Sequence, residues 1–174
     1  MKCYDMKKHL LSLIGLVALF CLGACSKNDE VPAETALSIA ESYLPCTVSF
    51  NSSDSEWMDK VNGWRGKEFV VNNPTELPDD PLGFSDAYRK VDFNEYTLLI
   101  KYQIHKWQID TYRTRYYINN IERTYNWTIS VGTSTVPDDN AEPLYFTRYA
   151  ILVHKLPKDA KLQMWFSLND ISRN

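Results

Sequence analysis

The second half of the chain alternates apolar and polar residues with a period of two, and this pattern restricts the possible folds more than any other feature. The alternation runs through residues 96–106, 112–118, 123–131 and 161–168. A strand with one apolar side buries that side in a core, and short links between such strands favour antiparallel pairing. The predicted core positions are Tyr96, Leu98, Ile100, Tyr102, Ile104, Tyr112, Tyr116, Ile118, Tyr125, Trp127, Ile129, Val131, Leu162, Met164, Phe166 and Leu168.

Residues 145–153 are apolar on both sides, which predicts a strand in the middle of a sheet. Weaker signals precede them: helical spacing in residues 33–44 ended by Pro45, a turn of helix capped by Asp54 or Ser55, a strand at 67–72 and a helix within 84–90. The whole pattern predicts a mainly β fold, an antiparallel sandwich or partly closed barrel with one or two short helices.

The N-terminus has the layout of a secretory signal peptide. Lys2, Lys7 and Lys8 precede an apolar run at residues 10–22, which is shorter than the roughly 20 apolar residues that a membrane span needs. The run ends in Leu22-Gly23-Ala24-Cys25, which resembles the bacterial lipobox. The resemblance implies cleavage after residue 24 and acylation of Cys25; the alternative is a plain signal peptide that happens to contain a cysteine.

The residues after Cys25 carry a second resemblance. Ser26, Lys27, Asp29 and Glu30, with Asn28 between the lysine and the acids, resemble the export signal of Bacteroidetes-type lipoproteins. That resemblance implies a lipid-anchored protein on the outer face of the outer membrane. Residues 25–32 are then the acylated cysteine and a flexible tether, and residues 33–174 form a single β-rich domain, because about 150 residues is the length of one domain.

The net charge argues against one class of function, and the cysteine content argues against an intrachain disulfide. The net charge is −3, whereas a general nucleic-acid binder is basic. Cys3 and Cys21 leave with the signal peptide and Cys25 takes lipid, so Cys46 has no partner for an intrachain disulfide. We expect Cys46 to be a small buried apolar residue rather than a nucleophile.

Residues that could carry catalysis are few and lack supporting motifs. His105 and His154 could meet in space, and the pairs Asp79-Asp80 and Asp138-Asp139 could act as the two carboxylates of a glycosidase. The sequence contains no G-x-S-x-G, C-x-x-C, H-x-x-x-H or D-x-D-x-D-G pattern. We therefore assign no catalytic residue, metal site or cofactor, and expect solvated side chains at these positions.

The polar sides of three predicted strands form a candidate binding face. The guanidinium group of arginine matches the geometry of carboxylates and phosphates, and aromatic rings are enriched at interfaces. We therefore predict that this face is a site for an acidic ligand or partner. The alternative is an ordinary solvated sheet face. The polar positions are Lys101, Gln103, His105, Arg113, Arg115, Tyr117, Thr124, Asn126, Thr128 and Ser130, and the candidate site residues among them are Lys101, His105, Arg113, Arg115 and Tyr117.

Four segments carry a family resemblance: residues 68–72, 76–77, 91–100 and 149–158. Their order is similar to that in small uncharacterised Bacteroidetes-type lipoproteins and, more distantly, in the C-terminal domain of the PrcB protease-complex subunit. The resemblance covers about residues 67–168 and implies a β-rich, non-enzymatic accessory or interaction domain without catalytic residues. The prediction is thus a cell-envelope lipoprotein that binds a ligand or partner; the alternatives are a small envelope hydrolase using the paired acids or histidines, and a structural module of an envelope assembly.

Overall fold

The computed structural model describes residues 32–79, 81–83, 86–133 and 143–170. Every strand and helix that the structure describes lies in the unit that begins at Ala33. Its strands are β1 (Glu34–Ala36), β2 (Ile39–Phe50), β3 (Glu68–Val71), β4 (Tyr96–His105), β5 (Thr111–Asn119), β6 (Thr124–Thr133), β7 (Leu144–His154) and β8 (Lys161–Asp170). The helices described in it are α1 (Ser55–Asn62), a 3-10 turn (Pro74–Glu76) and α2 (Asp86–Arg89).

The described strands form two four-stranded sheets. Sheet A has the order β1-β5-β6-β8, and sheet B has the order β2-β7-β4-β3. All neighbours are antiparallel except β6 and β8, which run parallel. The predicted mainly β sandwich is confirmed, and the described strands do not close into a barrel.

A first core lies between the two sheets. Trp127 and Ile129 of β6 pack in one buried cluster with Leu99 of β4 and Ile151 of β7. The Trp127 indole is fully buried, and its Nε1–H donates to Thr114 Oγ1 at 2.6 Å, which satisfies its polar atom without water. The alternation predicted for β5, β6 and β8 therefore turns their apolar sides towards sheet B.

A second core lies on the other side of sheet B, under the helices. Leu98 of β4 and Phe146 of β7 pack there with Val61 of α1. Helix α1 begins at the predicted cap, where Asp54 Oδ1 accepts a hydrogen bond from the Trp57 backbone N–H at 3.2 Å. The predicted central strand is confirmed, because β7 lies between β2 and β4 and is covered on both faces.

The predicted helix over residues 33–44 is wrong. These residues belong to β1 and β2, and Pro45 lies inside β2 rather than ending an element. Strand β2 is an edge strand, and its register with β7 shifts between Tyr43 and Cys46. A bulge on an edge strand tolerates proline because no neighbour needs its missing N–H.

Cys46 is exposed on this strand, so the expectation that it is buried is also wrong. Two other expectations hold. The strand predicted at residues 67–72 corresponds to β3, and α2 lies where a helix is expected within residues 84–90. Within the described part of the chain, no helix has the length and apolarity needed to cross a bilayer.

Candidate functional site

The residues of the predicted lipid anchor lie outside the described residues. These are Cys25 and the export-signal residues Ser26, Lys27, Asp29 and Glu30. Their roles stay predictions from the sequence.

Three of the predicted site residues share the outer face of sheet A. Arg113, Arg115 and Tyr117 alternate along β5 with inward Tyr112 and Tyr116, which pack in the core between the sheets. This arrangement confirms the predicted alternation of β5. It also leaves both arginine side chains at the surface.

The two arginines differ in how they are held. Arg115 forms an ion pair with Glu34 of β1, with 2.8 Å between Nη2 and Oε2, and its guanidinium lies 4.5 Å from the Tyr117 ring centroid. Arg113 is exposed and forms no ion pair with any described residue. Arg113 is therefore the available cation of this face.

Trp165 of β8 completes the face, and the sequence reasoning missed it. Because β8 pairs with β6, Trp165 lies beside Thr128, which lies beside Arg115. The Trp165 side chain is 55% exposed. Its Nε1–H donates to Asn126 Oδ1 at 3.2 Å, which fixes the orientation of the ring.

We call the surface formed by Arg113, Arg115, Tyr117 and Trp165 the arginine–tryptophan face. It contains a shallow groove of about 500 Å³ lined by Arg113, Thr114, Arg115, Thr128, Ile129, Ser130, Trp165 and Ser167. The Ser130 and Ser167 hydroxyls lie 3.1 Å apart in the same row as Arg113. The groove therefore offers a cation, hydroxyl groups and an aromatic ring, which are groups that can bind a ligand.

Lys101 does not belong to this face, and its predicted outward position is wrong. It is 5% exposed because sheet A covers that side of β4. Its ammonium group contacts the Glu68 carboxylate on neighbouring β3 and donates to the Met164 carbonyl of β8 at 3.0 Å. Lys101 thus links the two sheets.

His105 is also buried, so its predicted outward position is wrong for the same reason. Its Nδ1 donates to the Trp107 carbonyl at 2.7 Å, and its Nε2 lies 2.9 Å from Thr147 Oγ1. Burial lowers the pKa of His105 below its ordinary value, although the hydrogen bond to Trp107 acts in the opposite direction. Thr147 Oγ1 lies 3.0 Å from Thr47 Oγ1, so this polar network joins β2, β7 and β4.

Two of the predicted outward residues of β6 are buried as well. Thr124 and Asn126 are at most 6% exposed. Asn126 accepts from Trp165 and donates to the Thr124 carbonyl at 3.0 Å. They support the exposed ring instead of contacting solvent.

The two histidines lie at opposite ends of one strand pair. Tyr96 pairs with His154, and His105 pairs with Tyr145, which separates the histidines by roughly 30 Å at the rise of a β-strand. His154 stacks on Tyr96, with 5.5 Å between ring centroids. A shared metal site or catalytic pair of these histidines is therefore excluded.

Of the four paired acids, the structure describes Asp79 alone. Asp79 is exposed beside Arg89, whereas Asp80, Asp138 and Asp139 lie outside the described residues. Within the described ranges, no three His, Cys, Asp or Glu side chains cluster closely enough to hold a metal ion.

A second cleft of about 610 Å³ lies between the end of β3 and the link that joins β7 to β8. Val70 and Asn72 line it on the β3 side. Lys155 lines it, but its Nζ donates to the carbonyls of Asn72 at 2.9 Å and Phe93 at 2.6 Å. Lys155 is engaged in holding the β7–β8 link. The second cation of the cleft, Lys158, has no aromatic ring among the lining residues, so the arginine–tryptophan face is the stronger candidate site.

Comparisons with protein-family models, curated proteins and solved structures find no match for the chain. The resemblance to Bacteroidetes-type lipoproteins and to the PrcB domain therefore stays a prediction. A function has to be inferred from the residues of the chain itself.

Proposed function

We propose that the protein is a cell-envelope lipoprotein, anchored through Cys25 and displayed on the outer membrane, whose β domain is a non-enzymatic module that binds an acidic ligand or partner. The observation that carries this proposal is the arginine–tryptophan face, where Arg113 is exposed without an ion pair among the described residues. The chain as a whole has a net charge of −3, so the positive charge of this face is local.

Electrostatics favours an anion on this face. Arg113 and Arg115 are two residues apart on β5, which places their Cα atoms about 7 Å apart. The two guanidinium groups repel each other, and Glu34 neutralises Arg115 alone. A carboxylate at Arg113 would balance the second charge and could be bound through two parallel hydrogen bonds.

The anchor is supported by the order of features in residues 1–30. A basic start, an apolar run, the lipobox-like exit and the residues after Cys25 follow one another without a gap. Two acyl chains hold a protein stably at a membrane, whereas a single chain binds marginally. A tethered β domain would present its charged face to soluble or surface-bound anions.

The test is retention of the purified full chain, in an uncharged detergent, on a carboxymethyl resin at neutral pH. We expect the parent protein to bind despite its negative net charge, and Arg113→Glu with Arg115→Glu to pass through. The matched control is Arg65→Glu with Lys90→Glu, two exposed cations away from sheet A. The control makes the same charge change, so it should bind like the parent.

If the two double variants elute together, the retention reflects net charge and the face has no binding role. Circular dichroism checks that both variants are folded, as expected for exposed substitutions that change stability by about 0.5 kcal/mol.

A further inference from the structure

The Trp165 ring is presented in a fixed orientation. Its indole N–H is bound to Asn126, and the Asn126 amide donates in turn to Thr124 at both the carbonyl, at 3.0 Å, and Oγ1, at 3.1 Å. The ring is nevertheless 55% exposed. A large aromatic surface that is oriented before binding can contact a flat apolar ligand surface at a low cost in conformational entropy.

Hydroxyl-bearing side chains lie next to this ring. Thr128 lies beside Trp165, and the Ser130 and Ser167 pair lies in the next row. A hydroxyl can donate one hydrogen bond and accept two. Thr128 donates to the Arg115 carbonyl and Ser167 to the Ile129 carbonyl, so both hydroxyls keep room to accept a hydrogen bond from a ligand. A sugar has the matching properties, because the C–H groups of its ring form an apolar face while its edge carries hydroxyls.

The spacing between the ring and the free cation sets the size of the ligand. Arg113 and Trp165 are on strands separated by β6 and in neighbouring rows of the face. Two strand spacings and one such row place their Cα atoms about 12 Å apart. This backbone distance is longer than one sugar ring, so a ligand that contacts both side chains would contain more than one sugar.

The face is a poor match for a protein partner. A stable protein interface needs about 1,000 Å² of buried area or more, with an apolar centre. The outer positions of β5, β6 and β8 are mostly polar or charged, and the groove of about 500 Å³ has the size of a small-ligand site.

From these features we infer that the arginine–tryptophan face binds an acidic glycan, with one sugar ring against Trp165 and the carboxylate of another sugar on Arg113. This inference rests on the proposed function and specifies its ligand as a chain of uronic-acid-type sugars. Thr128, Ser130 and Ser167 then bind the sugar hydroxyls between the two ends.

The experiment compares the full chain in uncharged detergent by affinity electrophoresis in gels containing polygalacturonate, alginate, polyglutamate or a neutral glucan. Polyglutamate carries carboxylates without sugar rings, and the glucan carries sugar rings without carboxylates. We expect binding to at least one of the two uronate polymers and weak or no binding to the other two probes.

Two variants test the two ends of the site. Arg113→Gln should weaken binding by about 10- to 100-fold, as loss of a charge-assisted hydrogen bond does. Trp165→Ala should weaken it by about threefold to tenfold, and Trp165→Phe should keep most of the affinity because a ring remains. Leu44→Ala is the control, since Leu44 is an exposed apolar residue on the edge of sheet B.

The outcomes separate this inference from the proposed function. If polyglutamate binds as tightly as the uronates and Trp165→Phe and Trp165→Ala both bind like the parent, the ligand is an acidic protein and the glycan inference is overturned while the binding function stands. The glycan inference is likewise overturned if neither uronate binds, or if the neutral glucan binds equally well. If Arg113→Gln leaves binding to every polymer unchanged, both the glycan inference and the proposed anion-binding function of this face fail.

Discussion

Lys101 and Arg115 each pair with a glutamate on a neighbouring strand, but the two pairs differ in burial, and this difference makes a quantitative prediction. The Lys101 side chain is 7% exposed and Glu68 is 40% exposed, whereas Arg115 is 58% exposed and Glu34 is 40% exposed. The two glutamates are equally accessible, so Glu68→Gln and Glu34→Gln are matched substitutions. They remove one charge each and differ in the cation left behind.

The expected cost follows from the solvation of that cation. Removing one partner of a fully buried pair costs about 3–5 kcal/mol, and an exposed pair contributes about 0–1 kcal/mol. Lys101 is buried but keeps its hydrogen bond to the Met164 carbonyl, so we expect Glu68→Gln to reduce the free energy of unfolding by about 1–3 kcal/mol. Glu34→Gln leaves a solvated guanidinium and should cost less than about 1 kcal/mol.

The assay is urea unfolding followed by tryptophan fluorescence, because urea is uncharged and allows the salt concentration to vary. Raising NaCl from about 0.1 M to about 1 M shortens the Debye length from ~10 Å to ~3 Å. The effect of Glu34→Gln should largely vanish at high salt, whereas the effect of Glu68→Gln should persist. In a thermal melt the Glu68→Gln loss corresponds to roughly 2–4 °C for each kcal/mol.

Equal and equally salt-sensitive losses in the two variants would refute this reasoning. That result would mean that water reaches the Lys101 ammonium group and that Lys101 does not link the two sheets energetically.

The remaining predictions concern His105 and the anchor. Burial lowers the pKa of His105 in the folded state, so the unfolded chain takes up the proton first as the pH falls. The free energy of unfolding should therefore decrease below about pH 6.5. His105→Gln should flatten this decrease in urea titrations, and an unchanged dependence of stability on pH would contradict the prediction. Cys25→Ala should block lipidation and leave the protein unanchored or uncleaved, and a variant that is cut at the same place yet still pellets with membranes after a high-salt wash would exclude the lipid anchor. Alanine at Lys27, Asp29 and Glu30 should keep the lipid but remove the protein from the cell surface, and unchanged protease shaving of intact cells would exclude the export signal.

The later strands were predictable because alternation is a local property. Each apolar side from β4 to β8 packs in a core as the sequence predicts. Strands β1 and β2 were not predictable in this way, because their apolar residues also fit a helical spacing. Their conformation is decided by pairing with β5 and β7, which are distant in the sequence. The residues with helical spacing are Ala36, Ile39, Ala40 and Tyr43. Pro45 was interpreted as a helix end, although a bulged edge strand accommodates it equally well.

The site was predictable in part for a related reason. Alternation places Arg113, Arg115 and Tyr117 on one side of β5, but it does not reveal whether a second layer covers the polar side of β4. Sheet A covers that side, which buries Lys101 and His105. Trp165 lies on the polar side of β8, and a large aromatic residue at such a position is the sequence signal that could have indicated it. Its place beside β6 depends on the parallel pairing of β6 with β8, which local alternation does not predict.

The order of strands in sheet B also determines when the protein can fold. Strand β7 separates β2 from β4, and the Thr47–Thr147 contact joins residues 100 positions apart. Such long-range pairing slows folding to roughly milliseconds or seconds. In the export proposed above, with the N-terminus crossing first, β2 would have no β7 to pair with until nearly all of the chain has crossed, so sheet B would be completed only at the end of the crossing.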